Sequence, residues 1–263
     1  MASDRRGARR WSMLSAEERE RFARQLVLRG VGEAGQGRLK DGRVLVVGAG
    51  GLGSAACFYL AAAGVGTLGV VDFDRVTLSN LNRQILHTPA DLGRPKTDSA
   101  ARRLTDLNPA LEVIQYPEQL TPERAAEMAA AYDLVVECSD TFETKFLVNG
   151  ACVQTGTPLV WASVLAWEGQ MSVVLPGRGP CYRCLFPPAF DPGGAPTARE
   201  VGILGAVAGT MGALEAVEAV KVLLGVGNPL VGRLLVWDGW AGTFEEVSFA
   251  PQPGCPACGG GAG

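Results

Sequence analysis

Apolar positions along the chain fall into short compact runs separated by stretches of helical periodicity. Residues 43–47 (RVLVV), 67–72 (TLGVVD) and 133–137 (DLVVE) are such runs, and 112–116 is a weaker one. Runs of this length without in-and-out alternation predict strands covered on both faces. Between them, 52–63 (LGSAACFYLAAA), 95–107, 122–131 and 142–155 read as helices, the first built of small residues and stopped by Gly64. Upstream, 15–29 (SAEERERFARQLVLR) reads as one helix, with Ser15 as cap and Glu18 completing a capping box. Strands that alternate with helices predict βαβ units, right-handed crossovers and a mainly parallel sheet.

After residue 158 the rhythm changes. PLVWAS and GQMSVVL read as neighbouring strands, and 176–196 is a Pro/Gly-rich stretch that reads as a long loop of the kind that often carries function. Residues 203–224 form a long helix, rich in small residues in its first half, and RLLVWD with TFEEVSF closes the chain as a hairpin-like pair. The expected class is α/β: a mainly parallel sheet extended by C-terminal antiparallel strands. Residues 15–258 are expected to form one domain, 1–14 a disordered leader and 259–263 a flexible tail. No internal repeat is visible.

Composition narrows the function more than the fold. Of 263 residues, 47% are hydrophobic and 19% charged, a globular balance, and the net charge of -3 argues against a general nucleic-acid binder. The basic N-terminus, MASDRRGARR, lacks the apolar core of a secretory signal. The longest uncharged stretch, 147–167, contains Asn149, Gln154, Gly156 and Pro158, and fits a helix end, a turn and strands better than a membrane span. A cytoplasmic protein is expected.

The first chemical signal is Gly48-Ala49-Gly50-Gly51-Leu52-Gly53, placed between a strand and a helix. Gly48, Gly50, Gly51 and Gly53 permit a tight turn that brings phosphate against backbone N–H groups at a helix start. Asp72 ends the next strand, where a carboxylate can hold a ribose hydroxyl. This much fits a nicotinamide enzyme as well as an ATP enzyme. The segment after it, Asp72-Phe73-Asp74-Arg75-Val76-Thr77-Leu78-Ser79-Asn80-Leu81-Asn82-Arg83-Gln84, is densely polar just after a buried strand. Asp74, Ser79, Asn80 and Gln84 are nucleotide-binding candidates, and Arg83 can reach phosphate oxygens.

Lys96 separates the two readings. The chain has four lysines among twenty-four Lys and Arg, and this one sits in GRPKT, with Pro95 expected at the first helical position. Cations at a helix N-terminus oppose its dipole. Arg94 and Lys96 there predict an anion between them and the helix. Asp140 follows strand 133–137 in CSDT, at the sheet edge where open α/β folds bind ligands. One carboxylate with substrate phosphates is a usual way to hold Mg²⁺; the same residue could instead cap helix 142–155. His87, the one histidine, reads as structural.

Seven cysteines are present, and Cys57, Cys138 and Cys152 are isolated in apolar surroundings. The other four form two CxxC pairs, Cys181/Cys184 and Cys255/Cys258. Paired knuckles in a chain without an export signal suggest metal more than disulfides, and four thiolates suit structural Zn²⁺. Such a site would staple the chain's end to the long loop.

Taken in order, GAGGLG, DFDRVTLSNLNRQ, GRPKT, CSDT, CYRC and CPAC resemble the MoeB/ThiF family, bacterial relatives of ubiquitin-activating enzymes, over roughly residues 20–258. The resemblance implies a Rossmann-like homodimer in which each subunit adenylates the C-terminal Gly-Gly carboxylate of a ubiquitin-like sulfur-carrier protein, as in molybdopterin, thiamine or tRNA-thiolation pathways. It implies that Gly51, Asp72, Ser79, Asn80, Arg83, Lys96, Asp140 and Thr141 contact Mg-ATP. Arg24 matches an arginine that the family passes into the partner subunit's ATP site. One departure stands out. Many relatives carry a cysteine before the long C-terminal helix, and here Ala198, in PTARE, occupies that position. Alanine is no nucleophile, so no thioester or persulfide step is carried over; no rhodanese domain of the family's kind is expected within these residues, and a separate sulfur donor is implied.

A C-terminal carboxylate is ionised at neutral pH, with a pKa near ~3.5, so the expected reaction needs no general base. Its obstacle is repulsion between two anions, which Lys96, Arg83, the partner's Arg24 and Mg²⁺ on Asp140 would offset. Rival readings are an NAD-dependent oxidoreductase, which leaves Lys96 and Asp140 without a role, and a non-catalytic scaffold that binds a ubiquitin-like tail.

Overall fold

The computed structural model describes residues 11–187 and 198–259. In chain order the elements are α1 (Ala16–Arg21), α2 (Ala23–Leu26), α3 (Gly32–Asp41), β1 (Arg43–Val47), α4 (Gly51–Ala63), β2 (Thr67–Val71), α5 (Lys96–Leu107), β3 (Glu112–Tyr116), α6 (Pro122–Ala131), β4 (Leu134–Glu137) and α7 (Phe142–Thr155). There follow β5 (Leu159–Leu165), β6 (Glu168–Val174), α8 (Tyr182–Leu185), α9 (Ala198–Val201), α10 (Gly205–Leu224), β7 (Arg233–Asp238) and β8 (Thr243–Ser248).

The strands form one sheet in the order β3-β2-β1-β4-β5-β6-β7-β8. The first five in that order pair in parallel, and β5 to β8 pair antiparallel. The expected fold class therefore holds: a parallel sheet extended by C-terminal antiparallel strands. β1 is the pivot. One crossover leaves it towards β2, and β4 takes its other side, so a crevice opens at its carboxyl end.

The unbroken apolar runs are explained by burial on both faces. Val44 and Val46 of β1 join Leu68, Val70, Leu134 and Val136 in a core under α4, α5 and α10. Leu45 and Val47 face the other way, with Val135, Leu159 and Trp161, under α6 and α7. The small residues of α4 and α10 serve close approach. A Cβ at Gly212 would meet the Leu52 carbonyl and stand 3.1 Å from Ala55, and one at Gly51 would stand 2.9 Å from the Ala208 methyl.

Several boundaries differ from expectation. The helix expected over 15–29 is two short pieces, interrupted where Phe22 turns inward and is 6% exposed. Its capping box is present, with Ser15 accepting from the Glu18 N–H and Glu18 from the Ser15 N–H. Pro95 is the residue before α5 rather than its first. α8 interrupts the stretch expected as a loop over 176–196, of which 188–196 lie outside the described residues. Residues 11–14, expected in the leader, pack on α3: the Ser12 N–H donates to Asp41 at 3.0 Å and Leu14 is buried. Residues 1–10 and 260–263 lie outside the described residues. Among the described residues, no helix is long and apolar enough to cross a membrane.

Candidate active site and cysteine centre

The glycine turn sits where β1 meets α4, at the pivot of the sheet. Gly48 has φ +98°, and a Cβ there would stand 2.9 Å from the Cys138 carbonyl of the neighbouring β4 strand end. At Gly53 a Cβ would collide with the Gly48 carbonyl. Glycine is thus required for the turn to close on itself and against β4. Asp72, just past β2, locks it from the other side: one oxygen accepts the Ala49 N–H at 2.8 Å and the other the Asp74 N–H at 2.9 Å.

His87 fixes the turn from behind. Its Nε2 donates to the Ala49 carbonyl at 2.9 Å, which leaves Nδ1 to accept from the Ser99 hydroxyl, also at 2.9 Å. Burial holds its pKa below the ordinary histidine value. The ring is neutral and structural, as expected.

Lys96 points at the same place. Its side chain is 6% exposed, and Nζ lies 2.8 Å from Asp74 Oδ2 and 3.6 Å from Asp72 Oδ2. The anion expected beside this helix start is therefore supplied in the first instance by the chain's own carboxylates, not by a ligand alone. An ammonium has three donors, so at least one remains for a phosphate. Arg83 lies against the start of α4, its Cγ 3.7 Å from a Cβ position at Gly51, while its Nη1 donates to the Ser79 carbonyl at 2.9 Å. Asn80 Oδ1 accepts the Thr77 N–H, which shapes the turn and leaves the amide donors available. Gln84 Nε2 lies near Gly50, and its Oε1 is buried without a hydrogen-bond partner.

Asp140 stands on the other side of the turn, after β4. It is exposed, and its carboxylate makes no hydrogen bond or ion pair among the described residues. The capping role considered for it belongs instead to Thr141, whose hydroxyl accepts the Thr144 N–H at 3.2 Å. An exposed carboxylate beside the glycine turn is a group that would suit Mg²⁺ together with substrate phosphates.

Around the glycine turn, Asp72 holds the Ala49 N–H, Arg83 lies against Gly51, Gln84 lies beside Gly50 and the segment leading to Asp140 lies against Gly48, while Lys96 pairs with Asp72 and Asp74, and Ser79 and Asn80 belong to the turn that carries Arg83. Arg24 is not among them. Its neighbour Gln25 donates to the Ala63 carbonyl at the far end of α4, a helix of 13 residues and so about 20 Å long. Sequence reasoning also missed Glu137 and Lys145, a buried pair directly beneath Asp140. The available signal was a glutamate ending an apolar strand and one of the four lysines inside a helix.

The four knuckle cysteines converge. Their sulfurs all lie within 4.8 Å of one another, with Cys181–Cys184 at 3.9 Å, Cys181–Cys255 at 3.7 Å and Cys184–Cys258 at 3.5 Å. Sulfurs at about 2.3 Å around a tetrahedral zinc stand about 3.8 Å apart, so the cluster fits that ion. It is held by Tyr182, whose N–H donates to Asn149 and whose ring meets Trp161 edge-on at 4.8 Å.

The ThiF family model matches residues 22–257. The chain is 48% identical to the sulfur carrier protein adenylyltransferase of Thermus thermophilus, over 95% of this chain and 93% of that protein. It is 46% identical to the SAMP-activating enzyme E1 of Haloferax volcanii, over 94% and 92%. Among solved structures it resembles E. coli MccB crystallised with an MccA peptide, with a TM-score of 0.80 and 22% identity over 94% of this chain and 75% of that one. The last likeness concerns the fold alone.

Proposed function

The chain belongs to the ThiF family, and from that membership we propose that it uses ATP to adenylate the C-terminal carboxylate of a ubiquitin-like sulfur-carrier protein ending in Gly-Gly. The observation that supports the reading is the glycine turn between β1 and α4, with Arg83 against Gly51, Lys96 held by the two aspartates that follow β2, and the segment leading to Asp140 against Gly48. Near-full-length identity to an adenylyltransferase of sulfur carriers supports the choice of substrate. Neither a nicotinamide oxidoreductase nor a non-catalytic scaffold finds support among these relatives.

In this reaction a carboxylate oxygen of the carrier bonds to the α-phosphorus of ATP, and the bond to the bridging oxygen breaks to release pyrophosphate. The N–H groups at the start of α4, beyond Ala49, would receive phosphate oxygens, and Asp72 and Asp74 would meet the ribose. Lys96 and Arg83 offset the negative charge of the two reactants and of the leaving group. Asp140 would hold Mg²⁺, which supplies charge neutralisation to the phosphates when bound. Thr141, beside it, keeps the start of α7 in place. Cys181, Cys184, Cys255 and Cys258 would hold a structural Zn²⁺.

The product is released as the adenylate. Cys57, Cys138 and Cys152 are buried, and the remaining four cysteines form the tetrad, so no accessible thiol stands ready to take the acyl group. A separate sulfur donor would consume it. We place the reaction in the cytoplasm, where ATP and reduced thiols coexist.

The enzyme works as a homodimer in this reading. Tyr59, Val217 and Ile85 are 59%, 55% and 57% exposed around a groove between α4 and α10, an apolar face suited to a second copy. Arg24, exposed and without a partner among the described residues, would be donated across it.

The test is ATP–pyrophosphate exchange with a panel of Gly-Gly-ending carriers. Label should enter ATP only with Mg²⁺ and a cognate carrier, and removal of the terminal Gly-Gly should abolish it. Exchange that is indifferent to the carrier, or absent with every carrier, would remove the assignment.

A further inference from the structure

Beneath Asp140 lies a polar cluster that the reaction above leaves unused. Glu137, the last residue of β4, is fully buried, and Lys145, on α7, is 4% exposed. Their side chains form an ion pair through Glu137 Oε2. Lys145 Nζ also donates to the Ala162 carbonyl of β5 at 2.6 Å. The other carboxylate oxygen, Oε1, accepts the Ser139 N–H at 2.9 Å.

A third buried group completes the cluster. Glu215 of α10 is fully buried, accepts from the Cys138 thiol at 3.4 Å and has one oxygen without a hydrogen-bond partner among the described residues. Burial pushes its carboxyl well above the usual carboxylate range.

A buried ion pair is seldom worth more to stability than apolar side chains of the same size. Its use here is geometric. Residues 138–141 form the turn from β4 to α7 that lifts Asp140 to the surface. The same turn walls the glycine loop, since a Cβ at Gly48 would stand 2.9 Å from the Cys138 carbonyl and 3.1 Å from the Ser139 nitrogen. Fixing the Ser139 N–H fixes both arms of the nucleotide site at once.

We propose that Glu137, clamped by Lys145, is a positioning residue that sets the Ser139–Asp140 turn for the magnesium–nucleotide complex. This rests on the adenylation reading given above. The clamp spans three elements: β4 through Glu137, α7 through Lys145 and β5 through Ala162. Among the described residues the Asp140 carboxylate has no partner to hold it, so its place depends on its neighbour's backbone.

Two double variants separate positioning from folding. Glu137→Leu with Lys145→Met removes both charges together and takes away the acceptor for Ser139. Glu137→Gln with Lys145→Met returns a carbonyl acceptor in the same place. Calorimetric titration of the whole enzyme with Mg-ATP should show the Leu/Met variant weakened about ten- to a hundredfold, the usual cost of losing a group that orients a metal ligand. Most of that loss should return in the Gln/Met variant, and both should melt within a few degrees of the parent. Parental Mg-ATP affinity in a folded Leu/Met variant overturns the proposal. Should that variant not fold, hydrogen exchange in the parent decides: a protected Ser139 amide in the free enzyme supports the clamp, and one that exchanges like an open turn overturns it. Failure of carrier-dependent exchange in the parent would strike the adenylation reading instead, without altering these binding and exchange measurements.

Discussion

At the scale of single residues, the site is a matter of where charge is held before substrate arrives. Lys96 is buried against Asp74 at 2.8 Å and Asp72 at 3.6 Å, so its ammonium is oriented without a ligand, and no rearrangement is needed when phosphate enters. Asp140 is the opposite case, exposed and without a hydrogen-bond or ion-pair partner among the described residues. Removing either should therefore cost different things. Lys96→Ala should lower carrier-dependent pyrophosphate exchange by about a hundredfold or more, with a drop in melting temperature because Asp72 and Asp74 lose their counter-charge. Asp140→Ala should lower exchange to a similar extent with no loss of thermal stability. Exchange assays and melting curves on the two proteins check both, and near-parental exchange in either would take that residue out of the site. Lys96 was legible in the sequence because lysine is rare in this chain and sits at a helix start. Its carboxylate partner was not, since Asp74 lies 22 residues earlier and only the fold brings the two together.

At the scale of elements, the chain is punctuated by local rules where contacts are local and by tertiary packing elsewhere. The strands 43–47 and 112–116 and the helices 122–131 and 142–155 were readable because their burial or their caps are written within a few residues. α3 was not seen. Gly32, Gly35 and Gly37 give it a poor intrinsic propensity, and it is held by contacts from outside, with a Cβ at Gly37 landing 2.9 Å from the Ser12 carbonyl. The break between α1 and α2 has the same origin, since Phe22 packs over Gly64, where an added Cβ would stand 2.6 Å from the ring. The cysteine knuckles join elements that no local rule connects: Cys181 precedes α8 and Cys184 lies within it, whereas Cys255 and Cys258 follow the last strand. A metal there makes the closing hairpin part of the same cooperative unit as α7 and α8. Cys255→Ala should lose about one zinc per chain, by metal analysis, and melt at a lower temperature. Each kcal/mol lost lowers Tm by about 2–4 °C in a domain of this size, so a structural ion would be evident. Full zinc content with an unchanged Tm would refute the site.

At the scale of the whole molecule, the proposed dimer turns on Arg24, which its own fold holds far from its own glycine turn. Gln25 anchors α2 to the Ala63 carbonyl, and the glycine turn begins at the opposite end of α4, about 20 Å away. No side chain spans that distance. In a two-fold dimer, each subunit can offer its Arg24 to the other's site. That arrangement makes a prediction which activity of single variants cannot reach. Arg24→Ala and Lys96→Ala homodimers should both be inactive. When equal amounts are mixed and allowed to exchange subunits, half of the dimers become mixed. In each mixed dimer one site has lost both groups, and the other combines an intact Lys96 with the partner's intact Arg24. About a quarter of all sites, and so about a quarter of the parental exchange rate, should return. If Arg24 served its own chain, every site in the mixture would lack one group or the other, and no activity would reappear.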